Sequence, residues 1–158
     1  MSKVEKGELR VPAICNGSVI DHIPADQVMQ VVSLLALDTC SYPLTIGMNF
    51  CSKKLGKKGL IKVENKHFTP QEVEMLALIS SDIVINVIQN YQVVNKIQAK
   101  LPEQVVGIVQ CPNPKCISNN EPMRSKFHVT NSAAGTLRCC YCNRNITANN
   151  IIIRSAQE

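Results

Sequence analysis

The residues best suited to chemistry lie near the end of this 158-residue chain, where Cys111 and Cys116 bracket four residues in CPNPKC and Cys139 and Cys142 bracket two in CCYC. Two turns that each present a pair of thiolates, joined by a connection long enough for a few short strands, suit a tetrahedral four-sulfur zinc site. The pattern reads as a closed, structural site with Cys111, Cys116, Cys139 and Cys142 as ligands to one Zn2+ per chain. Other uses of the thiols compete with it. A disulfide framework needs an oxidising compartment, and the opening MSKVEKGELR has no apolar core of a secretory leader. A redox Cys-x-x-Cys opens a helix, whereas Cys142 is followed by NRNITANNIII, which has the character of turn and strand. A catalytic zinc keeps one position open and often takes His or Glu, and the H-x-E and P-C-x-x-C deaminase pattern is missing. Redox or unbound thiols stay open as alternatives. Cys140 can replace Cys139 only by leaving Tyr141 as the single spacer before Cys142, too tight for a zinc knuckle.

A second, weaker set lies upstream. Lys57, Lys58, Lys62 and Lys96 can supply charge for a phosphate group, while Asp21 and His22 can hydrogen-bond a sugar hydroxyl and a phosphate. The plainer readings are a solvated lysine loop, a capping or turn Asp and a strand-end His. GKKG at 56–59 does not satisfy the phosphate-loop pattern GxxxxGK[ST], and no dinucleotide fingerprint, nucleophile elbow or convincing carboxylate pair is present. The formal net charge of +5 favours an anionic partner, although mild basicity also serves solubility. Only 4% of residues are aromatic and Trp is absent, which argues against a base-stacking platform for single strands.

These residues need elements to position them. Leu9 to Cys15 and Ser18 to Ile23, joined by Asn16-Gly17, read as a hairpin with a tight type I′ turn, ended by Pro24. Val28, Val31, Val32 and Leu35 fall at helical spacing, which predicts an amphipathic helix over 25–37. Tyr42 to Phe50 and Leu60 to Asn65 read as strands, with the Lys- and Gly-rich CSKKLGKKG as the loop between them. Thr69-Pro70-Gln71-Glu72 combines an N-cap, a Pro at the first helical position and the Glu of a capping box, so a helix should run to about Ile79. Asp82 to Gln89 and Tyr91 to Ala99 read as two further strands around Asn90. The order βαββαβ predicts a ferredoxin-like α+β domain, an antiparallel sheet with two helices, over 1–101. Residues 1–7 are polar and expected to be disordered. Leu101-Pro102-Glu103 marks the boundary to a small all-β zinc-binding domain over 102–158. A segment of that size buries little apolar surface and needs a metal or cross-links to stay folded. No run of 18 or more apolar residues occurs, so a membrane-spanning segment is not expected, and a cytoplasmic location is.

The phrases GSVIDHIPA (17–25), LTIGMN (44–49), GLIKVEN (59–65), NYQVVNK (90–96), LPEQV (101–105), CPNPKCISNNEP (111–122) and CCYC (139–142) resemble the regulatory chain of aspartate carbamoyltransferase, in order and spacing, from about Val11 to Ile152. The resemblance implies a non-catalytic subunit in pyrimidine biosynthesis. Its N-terminal domain would bind CTP and ATP as allosteric effectors and pair with a second regulatory chain. Its zinc domain would grip the catalytic chain, within a hetero-oligomer of catalytic trimers and regulatory dimers. The family's effector-site positions match at Val11, Ile14, Asp21, His22, Lys62, Asn86, Ile88, Tyr91, Val93 and Lys96, with Lys58 beside them. By this likeness Lys96 and His22 contact phosphates, Asp21 the ribose, Lys62 the ribose or base, and the backbone near Ile14 and Tyr91 the exocyclic amine. Two positions depart from the best-known members: Pro12 stands where they have Glu, and Cys15 where they have a basic residue. A zinc-ribbon nucleic-acid-binding protein, using Arg124, Lys126, Arg138 and Arg144, is the reading from another class. The regulatory-chain reading expects neither a nucleic-acid partner nor a membrane.

Overall fold

The computed structural model describes residues 11–147 and 150–153; the expectation for residues 1–7 and the first two positions of the Leu9 to Cys15 arm lie outside them. An antiparallel five-stranded sheet in the order β2-β3-β1-β4-β5 is formed by β1 (Gly17–Pro24), β2 (Leu44–Ser52), β3 (Gly56–Glu64), β4 (Val84–Gln89) and β5 (Gln92–Gln98). Two helices, α1 (Val28–Leu34) and α2 (Pro70–Ile79), connect β1 to β2 and β3 to β4. This is the expected ferredoxin-like arrangement, with β5 added beside β4.

Alternation along each strand sorts the sheet into two faces. One row, Ile46-Ile61-Ile20-Ile85-Ile97, crosses all five strands as paired residues. Apart from Ile46, exposed on the edge strand, it joins Val28, Val31, Val32 and Leu35 from α1 and Leu76 and Ala77 from α2 in the main core. Gly59 is fixed by that packing, because a Cβ there would lie 2.0 Å from the Val28 side chain. The capping box at Thr69 forms as the sequence indicates: Thr69 Oγ1 accepts from the Glu72 N–H, and the Glu72 carboxylate accepts from the Thr69 N–H.

Three local expectations are corrected. No strand precedes β1 among the described residues, and Asn16-Gly17 is not a hairpin turn. Gly17 (φ 142°) instead lies so close to β3 that a Cβ would meet the Val63 carbonyl, while Asn16 ties the sheet end together. Its carbonyl accepts from the Asn65 N–H and its Oδ1 from the Asn90 N–H. The type I′ geometry appears at Asn90-Tyr91, both at positive φ, between β4 and β5. The helix expected over 25–37 is divided into a 3-10 turn at Ala25–Gln27, α1, and a second 3-10 turn at Leu37–Thr39. The Lys- and Gly-rich segment is the tip of the β2–β3 hairpin and the start of its second arm rather than an open loop.

Beyond β5 the chain forms β6 (Gln104–Val106), β7 (Val109–Gln110), the single turn α3 (Ile117–Asn120), β8 (Lys126–Asn131), β9 (Thr136–Cys139), β10 (Asn145–Ile146) and β11 (Ile152–Ile153). These make a four-stranded sheet, β10-β9-β8-β6, and a β7–β11 pair. Phe127, Leu137, Val105 and Ile108 fill its centre, and their cluster also takes in Leu34 of α1 and Met75 and Leu78 of α2. The two helices therefore pack the sheet on one side and the small β module on the other.

Candidate functional sites

The four sulfurs meet at the edge of that shared core. Cys111 Sγ lies 3.7 Å from Cys142 Sγ and Cys116 Sγ 3.7 Å from Cys139 Sγ, and all four fall within 4.8 Å of one another. Four sulfurs about 2.3 Å from a shared zinc ion stand about 3.8 Å apart at tetrahedral angles, so the spacing fits the metal and leaves no room for a disulfide reading. Cys140 is exposed and outside the cluster, which settles the register in favour of Cys139. The CPNPKC turn is held by α3: Asn119 Nδ2 donates to the Cys111 and Asn113 carbonyls, and Asn120 Nδ2 to those of Pro114 and Cys116. Asn143, at φ 61°, closes the second turn by donating its N–H to the Cys139 carbonyl.

As bare thiols the four would not ionise together. Burial pushes Cys111 up to about 12 and raises Cys139 as well. Burial also raises Cys142, but the Arg144 N–H, the Asn113 side chain and the neighbouring thiols outweigh it and bring that thiol down to about 7. Placing four thiolates in one partly desolvated cluster requires a cation among them, which is the usual coupling of metal binding to proton release.

The second candidate site is the helix-free face of the large sheet. Directly behind the isoleucine row runs Thr45-Lys62-Val19-Asn86-Lys96, again paired strand by strand. Ile88 and Val93 pair one step further along, and Ile14, Val19 and Ile88 form a small apolar cluster of their own, with Leu60 against it. Thus Ile14, Lys62, Asn86, Ile88, Val93 and Lys96, singled out from scattered positions in the chain, share one surface. Val11 lies at the start of the segment that lays Ile14 on it. Tyr91 is 68% exposed at the β4–β5 turn, and its N–H donates to the Cys15 carbonyl.

Asp21 and His22 occupy a bulge where β1 slips against β3. His22 has φ 58°, unusual for a non-glycine residue, and its N–H donates to Asp21 Oδ1 at 2.7 Å. The same oxygen accepts from Lys58 Nζ at 2.9 Å. Asp21 is therefore a hub that fixes both His22 and Lys58. Lys62 Nζ donates to the Pro12 carbonyl at 2.8 Å, and burial lowers its pKa. His22 Nδ1 and Asn86 Oδ1 are buried atoms with no hydrogen-bond partner, which leaves polar capacity facing this surface. Sequence reasoning had no signal for the Asp21–Lys58 pair, which spans 37 positions.

An apolar patch ringed by Lys58, Lys62, Lys96, His22 and Asn86, on a domain joined to a four-cysteine cluster, marks an α+β protein with a candidate metal centre and a basic, partly apolar sheet face as its second candidate site. Residues 9–100 match the family described as aspartate carbamoyltransferase regulatory chain, allosteric domain, and residues 103–152 match that regulatory chain's metal binding domain. The aspartate carbamoyltransferase regulatory chain of Parabacteroides distasonis is 47% identical over 98% of this chain and the whole of the relative. That of Phocaeicola vulgatus is 50% identical over 88% of this chain and 90% of the relative, and that of Thermococcus gammatolerans 42% identical over 92% and 97%. The chain belongs to the family of aspartate carbamoyltransferase regulatory chains, with an allosteric and a metal-binding domain.

Proposed function

We propose that residues 1–101 form a nucleotide-effector domain for CTP and ATP, and that residues 102–158 form a zinc domain that holds the catalytic chain of aspartate carbamoyltransferase, on which carbamoyl transfer takes place. The observation that carries the effector assignment is the paired row Lys62-Val19-Asn86-Lys96, with Asp21 and His22 further along β1 from Val19. Lys96 and His22 take the phosphates, Asp21 the ribose, Lys62 the ribose or base, and the backbone at Ile14 and Tyr91 the exocyclic amine shared by both nucleotides. Val19, Ile88 and Val93 supply the apolar surface for the flat base. Lys62 must exchange the Pro12 carbonyl for the ligand, and Asp21 must share its oxygens with Lys58.

Zinc is the ion the four thiolates fit best, and it would cross-link the two turns rather than take part in catalysis. Beside them lie exposed Ile117, Tyr141 and Ile152 and a crevice lined by Pro112, Arg144, Ile146 and Ile151. Among the described residues none of Arg124, Lys126, Arg138 or Arg144 has an ion-pair partner within the chain. Such a surface suits a protein partner with acidic side chains.

On the sheet, β2 is an unpaired edge bearing exposed Ile46 and Met48, with Met29 and Tyr42 also exposed, which suits pairing with a second regulatory chain. The assembly would then combine catalytic trimers with regulatory dimers in the cytoplasm. Met48→Lys should shift the isolated chain from dimer to monomer in sedimentation; an unchanged dimer moves the interface elsewhere.

CTP or ATP added to the assembled enzyme should displace the substrate-saturation curve several-fold, since couplings of this kind run to about 1–3 kcal/mol. Lys96→Ala should reduce that displacement while the curve without nucleotide stays in place. Curves that ignore both nucleotides count against the reading.

A further inference from the structure

The hydroxyl of Ser118 lies 3.1 Å from Cys116 Sγ, in a residue only 3% exposed. When Cys116 is a metal-bound thiolate the sulfur can only accept, so the hydroxyl must donate. We propose that Ser118 is a positioning residue for the metal: its hydrogen bond draws electron density from the Cys116 sulfur, orients its lone pairs and strengthens retention of the ion. The proposal rests on the metal-site reading above and goes beyond it, because Ser118 is not one of the four ligands and acts through Cys116.

Three observations carry it. The contact is enclosed, with Cys116 itself 2% exposed, so water does not compete for the sulfur. Ser118 sits in α3, whose next two residues clamp the same turn through four carbonyls, so the hydroxyl is delivered from a fixed support. The cluster is also asymmetric: Cys142 is the half-buried sulfur, whereas Cys116 is sealed and hydrogen-bonded, which makes Cys116 the anchor end of the site. Partners of this second layer commonly change metal affinity by about 10- to 100-fold when removed.

The molecule supplies its own control. Ser125 belongs to the same module and is 1% exposed, yet its Oγ has no partner. Ser125→Ala therefore removes the same atom from a buried site without touching a sulfur. Full-length wild type, Ser118→Ala and Ser125→Ala are loaded with Co2+, read by absorption spectroscopy, and then titrated with a chelator. Ser118→Ala should hold the ion about tenfold more weakly and move the sulfur-to-cobalt charge-transfer band to longer wavelength, because a thiolate without the hydrogen bond gives up electron density more readily. Ser125→Ala should match wild type in both. Equal behaviour of the two variants, or a Ser118→Ala band at the wild-type position, overturns the role of Ser118 while leaving the metal site intact. Failure of wild type to give a tetrahedral thiolate spectrum overturns both.

Discussion

Removing the metal with a chelator or a mercurial unfolds the β module from β6 onward while the five-stranded sheet persists. The module's own apolar core is small, and its two cysteine turns converge on the four sulfurs. Metal binding in modules of this size contributes on the order of 10–16 kcal/mol, more than such a core can replace. Hydrogen exchange resolves the two halves: amides of β8 and β9 should lose protection and those of β1 and β3 keep it. In the assembled enzyme the same treatment should release the catalytic chains. A module that keeps its protection without metal, with the assembly whole, refutes the structural role.

The second large effect is expected at Met75→Ala. Met75 is 2% exposed and belongs to the cluster that joins α2 to the β module. Truncation of a buried Met costs about 2–5 kcal/mol, which denaturant unfolding of the metal-loaded protein measures directly. Val94→Ala, at a 52% exposed position, serves as the comparison and should change little. The effect on regulation follows from the same packing. The junction is an apolar core and not a free linker, and Ala99 is itself buried, its N–H donating to the Ile83 carbonyl. On the proposed function, motion passed from the sheet to the β module would proceed by sliding of packed helices, with the 99–104 segment following. Met75→Ala should shrink the nucleotide-dependent displacement of the saturation curve even where nucleotide binding is retained; an undiminished displacement places the coupling outside this core.

Much of the fold could be read from local signals. The Thr69–Glu72 capping box placed α2, the strand readings over 18–23, 42–50, 60–65, 82–89 and 91–99 placed the sheet, and the cysteine spacing placed the sulfurs. Asn16-Gly17 misled because that pair is the strongest short hairpin signal, yet here the Asn side chain is committed to the Asn90 N–H and the Gly to a close approach to Val63. The true turn, Asn90-Tyr91, carries a non-glycine residue at positive φ and announces itself weakly. Nor could the sequence indicate that Leu34, Met75 and Leu78 serve a second core, because apolar residues on a helix look the same whichever neighbour they face. The candidate effector positions were reached through likeness to a family; strand register then placed five of them on one face, and packing against Val19 and Ile88 placed Ile14 there as a sixth, which no single segment could reveal.

The back-to-back rows along β1 to β5 also bear on how such chains diverge. Isoleucines of the core row alternate with side chains of the helix-free face, so neighbours in the sequence answer to separate demands. Val19 is buried in its own small cluster, and the outward row lies outside the main core, as does the segment bearing Pro12 and Cys15 that lies over it. On the proposed effector reading, related chains can thus acquire different responses to nucleotides while keeping the same main core.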